Sequence, residues 1–309
     1  MAEIVTDAPS RAEAGAAPVT AYLQLAVAMT TVGSSAVVGK AMAESLPIFF
    51  ASALRFALAA AILLPLLLRA TGGVPRVTRR DVRPVGVQAL TGVFGFSVFW
   101  LCGLRQTTAA EAGIVASTTP AAIALASFVL LGERPRRRQL TAVALAVVGV
   151  GAMTAFGESS AARGPNPPLG NLLILGAVAG EALFLVLGKR TGARLSPLAI
   201  ATGVTVAGFL LFLPPAIPEA AALDLAAVPV SAWLAVAYYG LGPTVLGYLL
   251  LYRGLARVPA GSAAAFIGVV PLSAVLLAAL ILGEPIGWPH LVGLIGVLAA
   301  IALTIAGSR

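Results

Sequence analysis

Along the 309 residues, long apolar runs alternate with short breaks rich in charge, proline or glycine. Ten such runs emerge, at approximately 20–40, 46–69, 83–105, 107–131, 137–156, 169–189, 195–217, 229–253, 258–282 and 287–307. Each has about the 20 apolar residues that an α-helix needs to cross a bilayer. None shows the period-2 alternation or the short length of barrel strands. The pattern predicts an all-α integral membrane protein with ten transmembrane helices.

Composition supports this. Only 10% of residues are charged and 59% are hydrophobic, whereas a soluble domain carries about 25% charged residues. A net charge of +8 invites a nucleic-acid reading, but the basic residues form tufts between apolar runs, with no polar or aromatic readers beside them. A single cysteine, Cys102, excludes a disulfide framework, and a single histidine, His290, leaves no Cys/His metal cluster. Residues 1–19, mixed and polar, read as a flexible cytoplasmic tail without the apolar core of a signal peptide.

The positions of Lys and Arg set the orientation. With the N-terminus in the cytoplasm, sixteen basic residues fall inside, three (Lys40, Arg105, Arg163) fall outside, and Arg55 lies within a span. This is a strong positive-inside bias. It predicts that both termini are cytoplasmic.

The chain also repeats itself. A shift of 151 residues lays Gly103-Leu104 on Gly254-Leu255, Pro120 on Pro271 and Leu131-Gly-Glu133 on Leu282-Gly-Glu284, with 9 identities in 31 positions. Nearer the start of each half, a shift of 149 aligns Gly39-Lys40 with Gly188-Lys189 and Pro65 with Pro214. Each half holds five predicted helices, an odd number, so the second half must be inverted in the membrane. The expected organisation is a first repeat over 20–156, an external linker over 157–168 and a second repeat over 169–309. Inverted repeats around a midplane site are an architecture of secondary transporters.

The segment Ala53-Leu-Arg55-Phe-Ala-Leu-Ala-Ala60, the block from Gly103 through Pro120 to Glu133, and its echo from Gly254 to Glu284 resemble the drug/metabolite transporter superfamily. The resemblance is to its ten-helix, EamA-like bacterial exporters. It spans about 20–307 and implies an inner-membrane protein shaped as a basket around a central cavity, formed largely by helices 1, 3, 4, 6, 8 and 9. Relatives export amino acids, other metabolites or toxic compounds. The aromatic-rich third and eighth spans look most like the aromatic amino-acid exporters.

Ionisable groups inside a span cost about 2.5–3.5 kcal/mol each at a helix centre. Glu181, roughly 18 Å into its span, is expected to face the cavity and bind a substrate ammonium group or a proton. Arg55, at a similar depth, reads as a structural tether buried in the bundle. Glu111 reads as one end of a snorkelling pair with Arg105, and His290 as an outer-surface loop residue.

Pro120 and Pro271 release the carbonyls of Ala116 and Ile267, and the hydroxyls of Ser117, Thr118 and Thr119 stand ready to replace the lost bond. Gly92 and Gly95 in the third span match Gly242 and Pro243 in the eighth as paired points of weakness, suited to hinging or to close packing. Trp100 and Tyr248 join Glu181 and the Ser117, Thr118 and Thr119 hydroxyls as the groups expected to line the cavity and bind substrate, though Trp100 also suits the interfacial belt. Ser34 and Ser35 either line the cavity or bond a neighbouring helix.

No phosphate loop, nucleophile elbow or zinc-protease motif occurs in the sequence. The sequence therefore predicts a secondary transporter with no cofactor and no enzymatic activity. It would move a small uncharged, zwitterionic or amphipathic molecule, amino acids first, with multidrug export as the alternative and a non-transport membrane scaffold as the least favoured one. Its partners are that substrate and the bilayer, with no nucleic acid. Ala, Leu and Val cover the spans all round, so lipid contact and subunit contact share one pattern.

Overall fold

A computed structural model describes residues 19–73, 79–132, 137–156, 164–191, 195–255, 257 and 266–306. The tail up to residue 18, residues 157–163 of the linker, Glu133 with Arg134 and Arg136, and residues 258–265 lie outside them. So does the side chain of Tyr248. Among the described residues every regular element is helical.

The first half comprises α1 (Val19–Ser45), α2 (Ile48–Thr71), α3 (Arg79–Gln88), a π-helical segment (Ala89–Gly95), α4 (Phe96–Leu104), α5 (Ala109–Ala116), α6 (Thr119–Leu131) and α7 (Arg137–Phe156). The second comprises α8 (Pro167–Thr191), α9 (Pro197–Ala222), α10 (Val230–Leu241), a second π-helical segment (Gly242–Gly247), α11 (Tyr248–Leu255), a 3₁₀ turn (Phe266–Gly268), α12 (Val269–Leu282) and α13 (Trp288–Ala306).

Among the described residues, six unbroken stretches are long and apolar enough to cross a membrane: Val19–Ser45, Ile48–Thr71, Val82–Leu104, Pro167–Leu187, Leu198–Ala222 and Val230–Leu251. The pair α5 and α6, bent by 40° at the break between them, makes a seventh. Length and apolarity thus account for six to seven of the ten expected spans. The apolar α12 and the Trp288–Leu303 part of α13 are shorter.

Local sequence explains several helix ends. α2, α6 and α12 each stop at a glycine in the left-handed region, Gly72, Gly132 and Gly283, with φ of 69°, 69° and 65°. That conformation suits glycine at a helix C-terminus. The glycine repeated in the two Leu-Gly-Glu motifs is therefore a pair of matched C-caps.

Small residues set the packing between helices. A Cβ on Gly149 of α7 would stand 3.3 Å from Gly296 Cα of α13, so these helices cross almost backbone to backbone. Gly33 of α1 sits in the same way against Val270 and Ser273 of α12. Between α2, the first π-helical segment and α9, the rings of Phe49, Phe56, Phe94 and Phe212 form an aromatic cluster, with Phe94 and Phe212 centroids 4.6 Å apart. α8 packs mainly against α4, α6 and the first π-helical segment, all from the other half.

Candidate functional site

The candidate site centres on the break between α5 and α6. Sequence reading places Pro120 in mid-span. Within the bent span formed by α5 and α6 it does lie near the middle, in the first turn of α6, where a proline's missing N–H costs least, and the break precedes it at Ser117 and Thr118. All three hydroxyls turn back to cap α5: Ser117 Oγ donates to Gly113 O (2.8 Å), Thr118 Oγ1 to Val115 O (2.7 Å) and Thr119 Oγ1 to Ala116 O (2.7 Å). The Ala116 carbonyl, deprived of the Pro120 donor, thus finds a partner in a side chain.

The three residues then diverge. Ser117, Thr118 and Pro120 line a small, partly open crevice with Ala121 of α6, Ala146 of α7 and Ala300 and Ile301 of α13. Thr119 faces the other way, where its Oγ1 lies 2.8 Å from Glu181 Oε2 of α8. The structure therefore brings together two of the predicted residues, Thr119 and Glu181, and separates Ser117 and Thr118 from them.

The glycine-bearing stretches match in conformation. Gly92 and Gly95 fall in the first π-helical segment, and Gly242 and Pro243 in the second. A π-turn carries one residue too many for the α-helical ladder and is frequent at functional sites. Both segments rest on a helix from the opposite half: Gly180 of α8 abuts the Thr91 carbonyl, and Gly242 abuts Thr31 of α1. The shifts of 151 and 149 relate these two contacts, since Thr91 maps to Gly242 and Thr31 to Gly180. Pro271 lies in the first turn of α12, just after the 3₁₀ turn Phe266–Gly268.

At the Lys40 end of the bundle the structure corrects two expectations. Glu111 does not pair with Arg105. It is wholly buried, its Oε2 accepting from Thr107 Oγ1 (3.0 Å) and Asn171 Nδ2 (2.9 Å). Arg105 instead donates to the carbonyls of Ala43 (2.7 Å) and Leu46 (2.9 Å) at the end of α1, while Lys40 donates to Leu104 O (3.2 Å) and Thr107 O (2.7 Å) beyond α4. Each cation caps the C-terminus of the other's helix. His290 is not a surface loop residue either. It is buried in the first turn of α13, with Nε2 3.9 Å from Glu111 Oε1.

Glu284 entered the sequence reading only as a mark of the repeat. Its carboxylate reaches across the halves to accept from the amides of Ala109 (2.8 Å) and Ala110 (2.9 Å), and Thr108 Oγ1 accepts from Glu111 N (3.0 Å). The first three amides of α5 are thus all capped by side chains, with a negative charge at the positive end of the helix dipole. The signal was present in the second Gly-Glu pair.

Arg55 is buried, its guanidinium donating to Ser97 Oγ (2.5 Å) and lying 4.3 Å from the Phe56 ring centroid and 4.2 Å from that of Tyr239. Its anchors are two aromatic rings and a hydroxyl. Ser34 shares a 2.8 Å hydrogen bond with Tyr238 of α10 and donates to Thr31 O (2.7 Å). Trp100 is only 3% exposed, stacked on Phe96 and turned toward Gly39. That burial removes it from the interfacial belt.

Comparison with known proteins agrees with this architecture. The model of the EamA-like transporter family matches twice, over residues 19–155 and 168–306. The chain is 45% identical over 285 residues to the uncharacterized transporter YetK of Bacillus subtilis (strain 168), covering 92% of this chain and 86% of that one. It is 27% identical over 192 residues to the aromatic amino acid exporter YddG of Ancylobacter novellus, covering 60% of this chain and 63% of that one. A probable terminal-alkyne amino-acid exporter of Streptantibioticus cattleyicolor is 27% identical over 212 residues, with 69% of each chain covered. One solved crystal structure superposes with a TM-score of 0.64 at 22% identity, covering 94% of this chain and 99% of that one, which shows a shared fold. Two matches to one family model, joined to a relative at 45% identity, place this chain in the EamA-like transporter family of the drug/metabolite transporter superfamily, as a multi-pass protein of the bacterial inner membrane.

Proposed function

We propose that this transporter exports small metabolites, amino acids first, by alternating access between two inverted five-helix halves (20–156 and 169–309). Its N- and C-termini are cytoplasmic in this reading, which makes the Lys40 end periplasmic. The observation that carries the proposal is the lone mid-span carboxylate, Glu181, set against a helix broken at Ser117 and Thr118. Broken helices that expose polar backbone and side chains near the midplane are how transporters build substrate sites. A site with so few charges suits a zwitterion better than a phosphate or a polyanion. The amino-acid assignment also draws on the printed names of two distant relatives, both amino-acid exporters.

The test is reconstitution into liposomes with radiolabelled leucine, threonine and phenylalanine, with and without a pH gradient. Saturable movement of at least one amino acid is the expected result. Efficient movement of a sugar phosphate but of no amino acid overturns the substrate class. Export of lipophilic cations alone favours the multidrug alternative.

A further inference from the structure

The Thr119 hydroxyl carries one proton, yet its oxygen stands within hydrogen-bond distance of two acceptors, Ala116 O at 2.7 Å and Glu181 Oε2 at 2.8 Å. If Glu181 is a carboxylate, the hydroxyl can serve only one of them, and the other is left short of a donor. If Glu181 is a carboxylic acid, the count closes: the acid O–H donates to Thr119 Oγ1, and Thr119 donates to Ala116 O. We propose that Glu181 is the proton-binding site of this transporter and that its protonation sets the break between α5 and α6 through Thr119.

The surroundings favour the acid. Among the described residues no ion pair involves Glu181. The helices packed against α8 carry Cys102 and Glu111 toward one end, Arg83 and its neighbours in α3 toward the other, and Arg137 at the start of α7; α6 carries none. Glu111 is engaged with Thr107 and with Asn171, which lies ten residues before Glu181, about 15 Å along α8. An unpaired charge at this depth is expensive, whereas a neutral acid with a hydroxyl partner is not.

Loss of the proton changes the break. One proton leaves Glu181 for water; Thr119 keeps its own and redirects it to the carboxylate, because hydrogen bonds to an ionised acceptor are about twice as strong as neutral ones. Ala116 O then has neither the Pro120 donor nor the Thr119 donor, and the end of α5 keeps only two of its three hydroxyl caps, those from Ser117 and Thr118. Gly180, next to Glu181, meanwhile abuts Thr91 in the π-helical segment, so one short stretch of α8 touches both weak points of the first half.

The symmetry-related position has no such device. The shifts of 149 and 151 place Val32 opposite Glu181 and Val270 opposite Thr119. A single site predicts one proton per transport cycle.

This inference rests on the transporter reading for its consequence but not for its first test. Infrared difference spectra of the purified full-length chain, titrated with acid and base, should show at neutral pH a carboxylic-acid carbonyl band that is absent in Glu181→Gln. The band should shift in Thr119→Ala and return to its position in Thr119→Ser. No Glu181-dependent acid band, or a band indifferent to Thr119→Ala, overturns the proposal.

The second test uses proteoliposomes with the membrane potential clamped. A one-unit pH gradient should change the steady-state accumulation of a transported amino acid about tenfold for one coupled proton. In Glu181→Gln the ratio of accumulation with the gradient to accumulation without it should fall from about ten to about one. A ratio unchanged by the substitution overturns the proton role, and where the variant moves no amino acid the infrared band decides. If no amino acid moves in the wild type, the substrate reading fails while the infrared result still decides the proton site.

Discussion

The best-anchored buried charge shows how a residue-scale reading gains from its neighbours. Arg55 is sandwiched between two aromatic rings and bonded to Ser97, and only a planar guanidinium can stack and donate in this way. Arg55→Lys keeps the charge but loses the stacking, and should lower stability by about 1–3 kcal/mol, read as earlier loss of the monodisperse peak on heating in detergent. Ser97→Ala removes one hydrogen bond and should cost about half as much. That Arg55 is structural was legible in its depth, since an unpaired cation in mid-span must find partners. Those partners were not legible, because Tyr239 lies in the other half of the chain. Glu111 shows the same limit from the other side. Arg105 is its near neighbour in sequence, but the turn at 106–108 sends the two in different directions, and the true partner Asn171 is 60 residues away.

Among elements, the clearest lesson lies in the paired weak points. Gly92, Gly95, Gly242 and Pro243 were readable as interruptions because glycine and proline write backbone trouble directly into a sequence. The π-helical form they take was not readable, since it depends on how each stretch meets α8 or α1. The capping of α5 by Glu284 was also hidden, although its glycine neighbour was plain. Glu284→Gln leaves a single acceptor oxygen for two amides and should cost about 1.5–3 kcal/mol, the worth of one hydrogen bond to a charged group. Hydrogen exchange should rise at Ala109–Ala112 and stay unchanged in α9, which makes no contact with that cap. Equal exchange at both places would mean that Glu284 does not hold the end of α5.

For the whole molecule, orientation is the outstanding prediction. In a Cys102→Ala background, Ala226→Cys in the exposed turn between α9 and α10 should react with a membrane-impermeant maleimide in intact cells. Arg69→Cys, at the end of α2, should react only after permeabilisation. The reverse pattern would invert the protein in the membrane. The helical class and the twofold repeat were legible because hydrophobic run length and repeated Gly, Pro and Glu positions are local facts. How the halves interlock was not, because contacts such as Ser34 with Tyr238, Thr119 with Glu181 and Glu284 with Ala109 each join one half to the other.

That last contact bears on how the protein is made. The acceptor for the first amides of α5 lies 175 residues downstream of Ala109, so a ribosome adding about 5–20 residues per second reaches it roughly 10–35 s after Ala109 itself. During that interval the amides of Ala109 and Ala110 lack the carboxylate that caps them in the folded protein, while Thr108 can already cap Glu111. The first half of this transporter is therefore completed only by the birth of the second.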